Sequence, residues 1–117
     1  METARGSVEV RDPSKPQQAA ARRVAESKAT IPHLYLDAAI QIRAAVEPRD
    51  LVARVVKASA SALREHPAVN GAYRDGRFEA YSRINIGIVL AGRDGTVVPT
   101  IFDADTLELD EIASVLA

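Results

Sequence analysis

Between residues 33 and 43, apolar and polar side chains alternate. Leu34, Leu36, Ala38, Ile40 and Ile42 share one parity, and His33, Tyr35, Asp37, Ala39, Gln41 and Arg43 share the other. A period of two belongs to a pleated strand, so the segment predicts a long strand with one buried face. Before it, Gln17–Ala29 is rich in Ala, Arg, Glu and Lys, all good helix formers. Its weak apolar stripe is Ala20, Ala21, Val24 and Ala25, small residues that permit close packing but bury little area. Pro32 rules out a helix that continues past Thr30.

After the strand, Pro48 suits the first turn of a helix, where its missing N–H costs nothing. Val52, Val55, Val56, Ser59, Ala62 and Leu63 then mark a buried stripe, with Arg54, Lys57, Arg64 and Glu65 on the wetter side. The helix is expected to reach about His66 and to stop at Pro67. Ala72–Tyr73 and Phe78–Tyr81 flank Asp75-Gly76, a strong hairpin signal. Ile84, Ile86, Ile88 and Leu90 alternate as a further strand, and Gly92–Gly95 reads as a hairpin turn. Thr96–Phe102 predicts another strand, with Pro99 arguing for an edge or a bulge. Asp105 with Glu108 has the form of a capping box. It would open a last helix whose apolar positions are Leu109, Ile112, Val115 and Leu116.

The order helix, strand, helix, hairpin, strand, strand, helix predicts an α/β fold. It would have two layers, a mixed sheet with helices on one face. Residues 1–16, with Gly6, Pro13, Pro16 and mixed charges, read as a flexible N-terminal segment that has room for a short strand at Ser7–Arg11. Residues 17–117 are expected to form the domain.

Composition narrows the function classes. The chain has 117 residues, enough for one domain. Fifteen basic against 16 acidic residues give a net charge of −1, so no nucleic acid and no membrane is expected as a partner. The lack of cysteine excludes disulfides and thiolate metal sites. No apolar run approaches the ~20 residues needed to span a bilayer. The polar start lacks the apolar core of a secretory signal, so the expectation is a soluble, cytoplasmic protein.

Candidate chemistry is sparse. His33 and His66 are the two histidines. His33 reads mainly as a packed or hydrogen-bonded residue beside Pro32, and His66 as a solvated helix end. Ser59 and Ser61 lie mid-helix without a neighbouring base better than Lys57, so they read as small packing residues. Lys57, Arg54 and Arg64 read as a solvated basic face in preference to a phosphate site. No helix follows Gly92-Arg93-Asp94-Gly95, so that run is no phosphate loop. Asp103, Asp105, Glu108, Asp110 and Glu111 cluster at a helix start, where dipole compensation explains them, and no metal is expected. His33, Tyr35, Asp37 and Gln41 face one side of the long strand and could line a pocket or a subunit interface.

Four short motifs recur in a familiar order. Ala21-Arg22-Arg23-Val24-Ala25-Glu26-Ser27-Lys28 is followed by Ile31-Pro32-His33. Lys57-Ala58 lies in a helix ending His66-Pro67, with Asn70 after it. Asn85-Ile86-Gly87-Ile88 precedes Gly95 and Val97-Val98-Pro99, and Leu107 to Ala113 would be the helix that follows. Together they resemble the opening of the catalytic domain of 2-oxo acid dehydrogenase acyltransferases, over about residues 17–117.

The resemblance implies the N-terminal half of a coenzyme A-dependent acyltransferase fold, with coenzyme A as a substrate and no covalently bound cofactor. In that family the catalytic histidine stands in a His-x-x-x-Asp-Gly motif near the end of the domain, and the transition-state hydroxyl comes from the same half. Neither His33 nor His66 is followed by that motif, so the resemblance assigns no catalytic residue here. Arg49 falls where the family has an arginine contacting coenzyme A, a sensible partner for phosphate. The stretch from Arg49 to Lys57 is shorter than is usual, Thr96 replaces a leucine, and Asp50 and Ala91 stand where two other coenzyme contacts would be. Three readings follow: a non-catalytic assembly module, expected as a homo-oligomer and by family habit a trimer; half of a split acyltransferase completed by a partner chain; or a repurposed enzyme or ligand-binding protein on the same scaffold.

Overall fold

The computed structural model describes residues 2–4, 6–42, 47–92 and 95–116, with the side chains of Glu2, Thr3 and Arg49 left aside. The chain divides into two units, Met1–Ala38 with Leu90–Val97, and Ala39–Val89 with Val98–Ala117.

In the first unit, β1 (Glu2–Thr3) pairs antiparallel with β2 (Gly6–Ser7). β2 is the only ladder near the strand expected at Ser7–Arg11, and Val8–Ser14 carries no regular structure. Helix α1 spans Lys15–Thr30. It begins two residues earlier than its composition suggests because Ser14 caps it. The Ser14 Oγ accepts from the Gln17 amide at 3.4 Å, and Gln17 Oε1 accepts from the Ser14 amide at 2.8 Å. Pro16 fits the first turn. The Ala19–Ala20 side of α1 is half-buried, and the helix lies against β7 (Gly95–Val97), which pairs with β6 (Leu90–Gly92) in the expected hairpin.

The expected long strand is not formed. Pro32–Ile42 carries no regular secondary structure, and Leu34 and Leu36 are 83% and 87% exposed. Alternation sets which face a strand would bury, but a strand also needs a neighbour to share its N–H and C=O groups. No described residue pairs with this segment.

The second unit holds the core. Helix α2 spans Pro48–Glu65. Its buried residues are Ala53, Val56 and Ala60, which pack with Ile84, Ile101, Ala104 and Ile112. The buried stripe therefore lies beside the expected one: Val52 and Val55 are exposed, and the alanines face inward. Small side chains let α2 approach helix α3 (Leu109–Val115) and the segment before it. Burial of the two largest fully buried side chains, Ile84 and Ile112, contributes roughly 1.5–3 kcal/mol each.

A single 3₁₀ turn, Pro67–Val69, leads into the expected hairpin. β3 (Gly71–Arg74) and β4 (Arg77–Ala80) pair in the register Tyr73↔Phe78 and Arg74↔Arg77. Asp75 and Gly76 have φ of 50° and 78°, the left-handed pair that a two-residue turn needs. β5 (Ile86–Gly87) then pairs antiparallel with β8 (Thr100–Ile101). The expected Thr96–Phe102 strand breaks at Val98-Pro99 into β7 and β8, as a residue without an N–H donor dictates.

The mixed sheet is corrected accordingly. Among the described residues the sheets are four two-stranded antiparallel ladders, and no parallel pair occurs. The α/β class stands. No helix among the described residues is long and apolar enough to cross a membrane.

Candidate functional site

Two motif residues of the second unit, Lys57 and Asn85, bond to the segment between β8 and α3. Lys57 sits on the side of α2 that turns toward it. Its Nζ donates to the carbonyl oxygens of Asp105, at 3.3 Å, and of Leu107. Lys57 is thus half-buried and engaged, which corrects its reading as part of a solvated face. Two turns further along, Arg64 donates to Asp105 Oδ2 through Nε at 2.9 Å and through Nη2. Asp105 is therefore an ion-pair partner and no helix cap. The cap of α3 is Glu108, with Glu111 Oε2 accepting from the Glu108 amide at 2.7 Å. The other carboxylate oxygen of Asp105 is buried without a hydrogen-bond partner.

Asn70 and Asn85 fix the two ends of the turn after the hairpin. Asn70 Nδ2 donates to the carbonyls of Tyr81 at 2.9 Å and Arg83 at 3.0 Å, while its own carbonyl accepts from the Tyr81 amide. Asn85 Oδ1 accepts from the Asp103 amide at 3.0 Å. That bond helps hold Asp103 at φ 49°, a conformation aspartate tolerates better than most residues. Arg83 grips the Asp103 carboxylate with both prongs, Nε to Oδ1 at 2.8 Å and Nη2 to Oδ2 at 2.5 Å. These hydrogen bonds hold the carboxyl below its ordinary value. A shallow cleft of about 400 Å³ lies beside them, lined by Asn70, Tyr81, Ser82, Arg83 and Asn85.

Gly87 allows close strand packing: a Cβ there would stand 3.0 Å from Val98 Cγ1. On its other side, α2 and Ile86–Val89 enclose an apolar groove of about 470 Å³, lined by Val52, Val55, Val56 and Ser59 among others. Ser59 is a groove residue among apolar neighbours.

The pocket residues inferred from alternation fall in both units. His33, Tyr35 and Asp37 lie in the first unit and Gln41 in the second, all exposed. The His33 and Tyr35 rings stack with centroids 6.4 Å apart, and Lys28 donates to the Tyr35 hydroxyl while its Nζ lies 4.8 Å from the ring centre. His66 caps the 3₁₀ turn through its backbone. Neither histidine ring makes a hydrogen bond among the described residues, so neither orients a nucleophile. The side chain of Arg49 lies outside the described residues. Among the described residues no three potential ligands gather to hold a metal. The bidentate Arg83–Asp103 pair escaped sequence reading, since no local pattern links residues 20 positions apart.

Residues 6–117 match the sequence profile of the family described as 2-oxoacid dehydrogenases acyltransferase (catalytic domain). The mitochondrial dihydrolipoyllysine-residue acetyltransferase component of the pyruvate dehydrogenase complex of Dictyostelium discoideum is 32% identical over 105 residues, covering 80% of this chain and 16% of the relative. The chloroplastic component 4 of Arabidopsis thaliana is 40% identical over 60 residues, covering 50% of this chain and 12% of the relative. A probable dihydrolipoamide acetyltransferase from Listeria monocytogenes superposes with a TM-score of 0.73 at 26% identity, covering 96% of this chain and 54% of that one. The cubic core of a pyruvate dehydrogenase multienzyme complex shares the fold, with a TM-score of 0.74 at 20% identity, covering 95% of this chain and 52% of that one. The chain spans about half the length of these solved structures and a far smaller share of the curated relatives. It belongs to the family of 2-oxoacid dehydrogenase acyltransferase catalytic domains.

Proposed function

We propose that this chain serves coenzyme A-dependent acyl transfer as the scaffold portion of a family catalytic domain, with the general base and the transition-state hydroxyl supplied by polypeptide outside residues 1–117. Acyl transfer between thiols needs a base to deprotonate the acceptor and a donor to hold the oxyanion. Among the described residues both histidine rings are exposed and neither makes a hydrogen bond. Arg49 is the residue assigned to coenzyme A, through its phosphates.

The observation that carries this reading is the amount of apolar surface left open on a family scaffold. Leu34, Leu36 and Ile40 are each more than 80% exposed, and the groove along Val52 and Val55 is open. Surface of this kind is normally covered by more protein. The covering polypeptide would bury this surface and bring the catalytic groups. The same surface supports a homo-oligomer, and a trimer is the assembly we assign.

The test is acetyl transfer from acetyl-coenzyme A to dihydrolipoamide, with a coenzyme A titration on the same sample. The chain alone is expected to bind coenzyme A without turnover. Addition of the C-terminal half of a family catalytic domain, carrying His-x-x-x-Asp-Gly, is expected to restore turnover. Enzymatic turnover by the chain alone, abolished in His33→Ala, would overturn the scaffold reading.

A further inference from the structure

We draw no further inference here: the strongest candidate, the apolar groove between α2 and Ile86–Val89, belongs to the reading already proposed, and nothing in the structure shows what covers it.

Discussion

Asn85 shows how a motif residue can be structural. Its side chain serves the Asp103 amide 18 residues away, and Asp103 in turn carries the Arg83 pair. Asn85→Ala would leave that amide without its acceptor, and a loss of about 1 kcal/mol is expected in urea unfolding. Lys57→Met should cost more, about 1–3 kcal/mol, because two carbonyls in a half-buried segment lose their donor. A Lys57→Met protein as stable as the parent would place Lys57 back on a solvated face. The Arg83 pair adds a pH dependence. The Asp103 carboxyl titrates below its ordinary 3.8, so the pair's stabilisation is complete above that value. It is lost as the pH falls through the lowered folded value. Arg83→Gln should move the Asp103 carboxyl resonance midpoint upward in an NMR titration. An unmoved midpoint would mean the two side chains do not meet in solution.

At the scale of elements, local rules held where an element closes on itself. The β3–β4 hairpin needs only its Asp75-Gly76 turn and its cross-strand pair Tyr73–Phe78, whose ring centroids are 5.1 Å apart. At the base of this hairpin a side chain is excluded, because a Cβ on Gly71 would collide with the Glu79 carbonyl oxygen. Gly71→Ala should therefore open the hairpin base and speed hydrogen exchange at Tyr81, whose amide is bound to the Asn70 carbonyl. Unchanged protection there would refute the close approach. Helix α3 is short, seven residues, and leans on its cap and on Ile112. Ile112→Ala should cost about 2–5 kcal/mol by cavity formation, against about 1 kcal/mol for Glu111→Ala, which removes only the reciprocal cap. Equal costs would mean that the core does not run through Ile112.

For the molecule as a whole, the open apolar surface governs behaviour. A chain that leaves Leu34, Leu36, Ile40 and Phe78 each above 80% exposed has a strong drive to associate. Sedimentation at micromolar concentration is expected to show a species larger than one chain. A single compact monomer would argue that Pro32–Ile42 folds back onto its own chain in solution.

The sequence by itself determined the family, the three helices and the hairpin at Asp75-Gly76. Each depends on signals a few residues apart: helix-forming composition, a proline, a left-handed turn pair or an ordered run of short motifs. It also indicated the apolar parity of Leu34 to Ile42, but parity carries no information about a pairing partner. Tertiary structure decided the rest. It put Ala53 and Ala60, with no more than a methyl each, beside Val56 in the core and left Val52 and Val55 exposed, because small side chains let α2 meet α3 closely. It turned Lys57 inward and gave Asp105 to Arg64 and Asp103 to Arg83. These pairings span 20 to 50 residues, and the geometry that joins them exists only once the helices and strands have packed.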